Sequence, residues 1–256
     1  MEEMKEKKEY SDNWFKKNLK IMIPVFMIVL ILVFLLFWLN PFKSDVLPTP
    51  TAEVVVTPAP TPEATMMPEM ADLYAQNPDI VGWLTIEGTV VDYPLMFTPA
   101  DEEKYLRKNF QGAYSGDGLP FLDKDCSMNP ESDNLIFYGH NRSNGNIFKT
   151  IMNYKDESFW KKHPVIKVKT LYEEREYEVL AAFYDRVYYK SENCFKFYQF
   201  IDATEESFKE AMDYYKTHSE YDTGVEAEFG DKLISLVTCS YHHEHGRFVV
   251  VARAKS

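Results

Sequence analysis

The feature that most constrains this chain is a run of 19 uncharged, almost wholly apolar residues at positions 21–39. At about 1.5 Å of rise per residue, a helix of this length spans the roughly 30 Å hydrocarbon core of a bilayer. A cleaved signal peptide is the alternative. However, the run is longer than an ordinary signal core, and no small-residue cleavage site closes it. We therefore predict a transmembrane helix over residues 21–39.

The charges on either side of this run indicate its orientation. Residues 40–69 contain a single basic residue, Lys43, whereas the preceding tail is rich in lysine. The six lysines of the tail are Lys5, Lys7, Lys8, Lys16, Lys17 and Lys20. The positive-inside rule then predicts a cytoplasmic tail, residues 1–20, and an extracellular remainder, as in a single-pass protein of the cell membrane. The net charge of −12 argues against a nucleic-acid partner.

Residues 40–70 are rich in Pro and Thr, as in residues 57–62 (TPAPTP), and show no periodic apolar face. Such a segment is a stiff, extended linker of about 3 Å per residue, which gives up to about 90 Å of reach. A domain tethered in this way acts near the membrane surface. By size, residues 71–256 form one domain, which we predict to be catalytic.

The pattern of this domain predicts a mainly β fold with inserted helices. A hairpin is expected over residues 81–93, and a helix over 204–216 with Asp202 and Glu205 placed like a capping box. The remaining predicted strands cover 119–122, 134–138, 165–169, 176–184, 233–239 and 246–253, and the short helices cover 70–76, 101–109, 146–154 and 156–162. About eight short strands favour a closed β-barrel over a parallel sheet.

The candidate chemistry lies where strands end. Cys239 ends the apolar strand 233–239, and Arg247 opens the next strand eight residues later. An antiparallel hairpin with this spacing sets a thiol beside a guanidinium, a cation that favours the thiolate and stabilises an oxyanion. His140 follows the strand 134–138 and supplies a proton carrier. The alternatives are a buried core cysteine, a turn histidine and a surface arginine.

These motifs resemble those of the sortases, membrane-anchored cysteine transpeptidases of Gram-positive surfaces. The family motif Thr-Leu-x-Thr-Cys matches residues 235–239 (SLVTC) except at Ser235, and the family's histidine and arginine fall on His140 and Arg247. The segments that resemble class B sortases are 77–84, 91–95, 121–123 and 138–141, together with the helix 204–216 ahead of the cysteine strand.

The resemblance implies an eight-stranded sortase-type barrel with an N-terminal helix and a helical insertion before the cysteine strand. It also implies a reaction in which Cys239 attacks a sorting-signal peptide and forms a thioacyl intermediate. His140, protonated in the resting state, and Arg247 would favour the thiolate. The partners would be the sorting peptide of a surface protein and an amine from a cell-wall precursor or a pilin lysine. Tyr138 and Thr238 are the candidate substrate-binding residues, and we expect no cofactor and no calcium requirement.

Two other readings of the sequence stay open. His242, His243 and His245 are suitable metal ligands, although neighbours on one short loop converge poorly. The fold could also serve as a non-catalytic, membrane-tethered surface domain. Three cysteines cannot all pair within one chain, and we expect Cys126 and Cys194 to be incidental thiols or a disulfide.

We also expect the helix 204–216 and the aromatic segment before it to wall the groove that leads to Cys239. The segment contains more aromatic side chains than one short loop needs for packing. They are Tyr188, Tyr189, Phe195, Phe197 and Tyr198. We therefore expect peptide specificity to reside largely in this insertion.

Overall fold

The computed structural model describes residues 65–255. The predicted cytoplasmic tail, the transmembrane helix at 21–39 and the linker up to residue 64 lie outside these residues and stay predictions. Across residues 65–255, no helix combines the length and the apolar character needed to cross a membrane. The first helix begins at Pro68, within the segment predicted to be linker.

Eight strands close into a barrel in the order β1-β2-β3-β4-β7-β8-β6-β5, which confirms the predicted fold class. The strands are β1 (Ile80–Thr85), β2 (Asp92–Met96), β3 (Phe121–Leu122), β4 (Asn134–Gly139), β5 (Val165–Thr170), β6 (Glu174–Arg186), β7 (Leu233–Cys239) and β8 (Gly246–Ala254). Neighbouring strands pair antiparallel except β2 with β3 and β4 with β7, which are parallel. A parallel pair brings the C-terminal ends of both strands to the same edge of the sheet.

Helical segments connect and cover the barrel. The α-helices are α1 (Pro68–Gln76), α2 (Glu157–Lys162) and α3 (Glu205–His218), and the 3-10 helices cover Glu102–Arg107, Thr150–Lys155 and Phe197–Gln199. Helix α3 packs on β6, where the rings of Tyr215 and Phe183 stack with centroids 5.5 Å apart. Both side chains are fully buried, so α3 extends the main core rather than standing apart from it.

The main core fills the barrel with aliphatic and aromatic side chains from all the long strands. A smaller cluster under α1 joins Met70 to Tyr105 and Phe121. Cys126, expected to be an incidental thiol or half of a disulfide, is only 4 % exposed. Burial raises the pKa of its thiol to about 12, so this cysteine is a poor nucleophile at neutral pH. Cys194 is exposed, and none of the three cysteines is paired.

Two local predictions were wrong. The capping box of α3 joins Thr204 and Ser207, not Asp202 and Glu205, because the helix begins at Glu205 and Ser207 is the third residue after its N-cap. Strand β2 starts later than expected, because residues 87–91 form a turn. In that turn the Thr89 hydroxyl donates to the carbonyl of Ile86 at 2.8 Å.

Candidate active site

The hairpin β7–β8 sets the predicted thiol and guanidinium side by side. Cys239 and Arg247 are direct partners in its antiparallel register, as the spacing predicts. Both side chains are partly exposed at the end of otherwise buried strands. Gly246, which precedes Arg247, allows the turn to close tightly: a Cβ there would lie 2.4 Å from the carbonyl oxygen of Ser240. A larger residue would open this end of the hairpin.

Strand β4 brings His140 to the same end. It pairs in parallel with β7, and Gly139 is the partner of Thr238, so the next residues of the two strands are His140 and Cys239. Two hydrogen bonds tie the strand ends together. Thr238 Oγ1 donates to the Gly139 carbonyl at 2.7 Å, and Asn141 Nδ2 donates to the Cys239 carbonyl at 2.7 Å.

Asn141 is the site residue that the sequence analysis did not single out. Its amide holds the backbone of Cys239 from a position 98 residues away along the chain. Its signals in the sequence are its place directly after His140 and within the segment 138–141, which resembles class B sortases. Its contact with Cys239 can be inferred only once β4 and β7 are known to be neighbours.

Close packing fixes the backbone just before His140. A Cβ on Gly139 would lie 2.6 Å from the ring of Phe148 and 3.0 Å from Ile147. The carbonyl of His140 accepts a hydrogen bond from the Phe148 backbone N–H at 3.0 Å. These contacts with Ile147 and Phe148 leave the His140 backbone little freedom to shift along the strand.

The imidazole of His140 is held by a distant carbonyl. Its Nε2 lies 2.9 Å from the carbonyl oxygen of Leu106, an acceptor, so the neutral ring carries its proton on Nε2 and leaves Nδ1 free to accept one. Burial lowers the pKa of His140, and the positive charges of Arg107 and Arg142 lower it further, although the Leu106 carbonyl opposes them. These effects favour the neutral ring, whereas the sequence led us to expect a protonated resting state.

Arg247 is anchored by its own turn. Its Nη1 donates to the carbonyls of His245 and Gly246 at 3.3 and 3.0 Å. Across residues 65–255, no carboxylate forms an ion pair with it. Its charge therefore remains available to a negatively charged group beside Cys239.

Cys239, His140 and Arg247 line one cavity of about 450 Å³. The candidate substrate-binding residues Tyr138 and Thr238 line it as well. Their hydroxyls, however, are already engaged, since Tyr138 donates to Asp123 Oδ2 at 2.9 Å and Thr238 to the Gly139 carbonyl. The other lining residues are Glu102, Glu103, Leu106, Phe121, Gly139, Val187, Phe197, Tyr198 and Val237.

This lining revises the expected role of the insertion. Phe197 and Tyr198 contribute to the cavity wall, but no residue of α3 does so within the described part of the chain. Phe195 packs inward against Tyr214, with ring centroids 4.7 Å apart, and Phe197 is only 1 % exposed. Tyr189 is exposed but is not part of the lining. Two of the five aromatic side chains, Phe195 and Phe197, therefore pack into the core.

The histidines after Cys239 do not form the metal site considered above. His242 Nδ1 lies 2.9 Å from Ser240 Oγ, and His243 Nδ1 lies 2.7 Å from the carbonyl of Glu244. No group of three or more His, Cys, Asp or Glu side chains within residues 65–255 converges as a metal site. Neighbouring residues on this short turn point their ring nitrogens to separate partners.

The protein is thus a closed barrel in which a cysteine at the end of one strand lies beside an arginine and a histidine from the two neighbouring strands. The sequence model of the sortase domain matches residues 84–255. Sortase B of Listeria monocytogenes is 30 % identical over 188 residues, which cover 71 % of this chain and 72 % of that protein. Sortase B of Staphylococcus aureus is 26 % identical over 73 % of this chain and 74 % of its own.

Solved structures agree with this assignment. The Staphylococcus aureus sortase B–substrate complex superposes with a TM-score of 0.66 at 25 % identity, covering 75 % of this chain and 86 % of that one. Clostridium perfringens sortase B superposes with a TM-score of 0.63 at 26 % identity, covering 73 % and 99 %. The chain therefore belongs to the sortase family, and within it to class B. It is a cysteine transpeptidase of surface-protein anchoring, associated with the cell surface.

Proposed function

We propose that this transpeptidase uses Cys239 as nucleophile, His140 as proton carrier and Arg247 as the stabilising cation. It cleaves a peptide bond in the C-terminal sorting signal of a surface protein and transfers the acyl group to an amine. The observation that carries the proposal is the register of three strands. It pairs Cys239 with Arg247 and brings the end of β4 beside the end of β7, at one cavity. The Staphylococcus aureus sortase B named above was solved as a complex with a substrate.

The first half-reaction forms a thioester. His140 accepts the thiol proton, and the thiolate of Cys239 attacks the carbonyl carbon of the scissile bond to give a tetrahedral oxyanion beside Arg247. Collapse of the oxyanion breaks the C–N bond, and the imidazolium gives its proton to the leaving amine. The lowered pKa of His140 suits this order of steps, because the ring must accept a proton before it donates one.

The second half-reaction reverses these roles. The acceptor amine attacks the thioester carbon, its proton passes to His140, and the C–S bond breaks as the new amide C–N bond forms. The thiolate then regains the proton from His140. The acceptor we propose is an amine of a cell-wall precursor or of a pilin lysine, and the enzyme is held at the membrane by the single N-terminal span.

The test is mass spectrometry of acyl-enzyme formed with a library of sorting peptides. Wild type should gain the mass of a peptide fragment, and Cys239→Ala should not, with turnover lower by at least about 10⁴-fold. The matched control is Cys194→Ala, because that thiol is exposed but lies outside the cavity. An acyl adduct that persists in Cys239→Ala, or disappears in Cys194→Ala, would contradict the proposed nucleophile.

A further inference from the structure

Both polar groups of the peptide bond that follows Cys239 are held by neighbouring strands. Its N–H, on Ser240, donates to the carbonyl of Gly246 in β8 at 2.9 Å. Its C=O accepts a hydrogen bond from Asn141 Nδ2 at 2.7 Å. Because a peptide unit is planar, contacts at both polar groups stop it from rotating and hold the backbone of Cys239 in one orientation. The first contact is made by backbone, whereas the second depends on one side chain.

The side chain of Asn141 lies where the backbone pairing of β4 with β7 stops. The last pair of this parallel register is Gly139 with Thr238, so Cys239 lies one residue beyond it. The Asn141 amide supplies the next contact between the two strand ends. Asn141 is not among the residues that line the cavity. An effect of its amide on the reaction is therefore indirect, through the backbone of Cys239.

The loop that carries Asn141 has a strained backbone. Ile147 has a φ of +57°, in the left-handed region that a β-branched residue rarely adopts. Its side chain is 3 % exposed, and its N–H donates to the Tyr93 hydroxyl at 3.2 Å. Ile147 also pairs with Asn141 in an isolated antiparallel bridge. Such strain persists only where surrounding contacts impose it, and it is concentrated at functional sites.

A carboxylate outside the loop supplies more of these contacts. Asp117 accepts hydrogen bonds from three loop side chains: from Asn146 Nδ2 at 2.8 Å, from Asn144 Nδ2 at 2.9 and 3.1 Å, and from Arg142 Nε at 3.3 Å. The amides of Asn146 and Asn144 lower the pKa of Asp117, so the carboxylate stays ionised at neutral pH. The middle of the loop is thus fastened to Asp117, while its two ends meet at the bridge between residues 141 and 147.

We propose that Asn141 is a positioning residue for the nucleophile. Its amide fixes the peptide bond after Cys239, and the strained loop 141–147 fixes the amide. The thiol is then held toward the scissile carbonyl when the substrate binds, instead of sampling several directions. This inference rests on the proposed role of Cys239. Alignment of reacting atoms matters steeply, since a misplacement of about 1 Å can cost about a hundredfold in rate.

The test compares Asn141→Ala with wild type in acyl-enzyme formation from a peptide substrate. The maximal rate of acylation should fall about tenfold to a hundredfold, because the thiol is no longer aligned. The KM for the peptide should stay within about twofold of wild type, because the cavity lining is unchanged. Alkylation of Cys239 by iodoacetamide, followed by mass spectrometry, should also stay within about twofold, since a small reagent reaches the thiol from many directions.

Two further variants separate the amide from the loop. Asn141→Asp keeps the size of the side chain, but the ionised carboxylate turns an acceptor toward the Cys239 carbonyl, so acylation should be at least as slow as in Asn141→Ala. This variant carries the test if Asn141→Ala fails to fold. The matched control, Asn144→Ala, removes an exposed amide of the same loop while Asp117 keeps its other two donors. Its rate of acylation should stay within about twofold of wild type.

A wild-type rate of acylation in Asn141→Ala or Asn141→Asp would overturn the inference. An equal fall in Asn144→Ala would also overturn it, because the effect would then belong to the loop and not to the contact with Cys239. So would an alkylation rate that falls as far as the acylation rate, which would indicate a general structural role. Failure of the wild type to form any acyl-enzyme would instead overturn the proposed function, so the two failures are distinguishable.

Discussion

At the residue scale, backbone carbonyls hold two of the three site residues in place. Arg247 is held by carbonyls of its own turn, and His140 by the carbonyl of Leu106, 34 residues earlier. Neutral acceptors orient the guanidinium without cancelling its charge, as an ion pair would. A charge that must stabilise an oxyanion benefits from this kind of anchoring.

Arg247→Lys retains a positive charge but loses the planar set of donors, of which Nη1 is used for anchoring. We expect kcat to fall about a hundredfold with a smaller change in KM, because the lost contacts are made in the transition state. The control is Arg253→Lys on the same strand, where the arginine pairs with Glu178 at 2.8 Å instead. Steady-state kinetics on both variants test this. If Arg247→Lys keeps the turnover of the wild type, Arg247 is a surface charge without a catalytic role.

The lowered pKa of His140 predicts the acid limb of the pH profile. In the proposed mechanism the neutral ring accepts the thiol proton, so activity should be present above the histidine's pKa and lost as the pH falls through it. Because burial lowers that pKa from the ordinary 6.5, the midpoint of the limb in kcat/KM should lie below 6.5.

Removing a neighbouring cation tests the assignment of this limb. Arg107 lowers the pKa of His140, so Arg107→Gln should move the midpoint upward by roughly a few tenths of a pH unit, as expected for a screened charge. Replacing His218, an exposed histidine of α3, should leave the limb in place. A limb that follows His218 instead would disprove the assignment to His140.

At the element scale, the segment between β6 and α3 divides its aromatic side chains between core and cavity. Phe195 and Phe197 pack inward, Tyr198 is half-buried at the cavity wall, and Tyr189 is 61 % exposed outside it. The helix α3 closes the core over β6 rather than the cavity. Peptide selection by this insertion therefore rests on few residues.

Tyr198→Leu should raise the KM for peptide several-fold, because it removes aromatic surface and a hydroxyl that donates to the Tyr188 carbonyl at 3.3 Å. The alkylation rate of Cys239 should stay as in wild type, which separates peptide binding from thiol reactivity. Tyr189→Leu is the matched control on the same segment and should not change KM. A larger effect at Tyr189 would mean that the peptide runs outside the cavity.

At the scale of the whole molecule, barrel closure unites residues that are far apart in the chain. The parallel pairing of β4 with β7 places the ends of two strands, about a hundred residues apart, at one edge of the sheet. The antiparallel β8 adds Arg247 at the same edge. The site thus depends on the fold as a whole rather than on any single hairpin.

The attachment to the membrane through the helix at 21–39 remains a prediction from the sequence. We expect the full chain to stay with the membrane fraction after a high-salt wash, and protease added outside intact cells to digest residues 71–256. Leu30→Lys/Val33→Lys should release it, since each charge at the centre of a span costs roughly 3 kcal/mol of insertion. Thr57→Lys/Thr61→Lys adds the same charge to the linker and should remain membrane-bound. A soluble wild-type chain would refute the span.

Much of this protein was predictable from its sequence, because the determining patterns are local. Alternating apolar residues predicted the strands, and the spacing of Cys239 and Arg247 in one hairpin predicted their pairing. A short motif around each of these residues indicated the family. Errors appeared where a turn or a cap begins, as at Thr204, since a boundary depends on which of several neighbouring polar side chains caps the helix.

The tertiary structure alone decided what surrounds each side chain. The Leu106 carbonyl beside His140, the amide of Asn141 on the Cys239 backbone and the burial of Phe197 and Cys126 all arise from long-range contacts. Such contacts set desolvation and nearby charge, and these set the pKa of His140 and the reactivity of Cys126. The sequence by itself therefore determined which groups are candidates for the chemistry, and the packing decided how far each one is desolvated and which charges surround it.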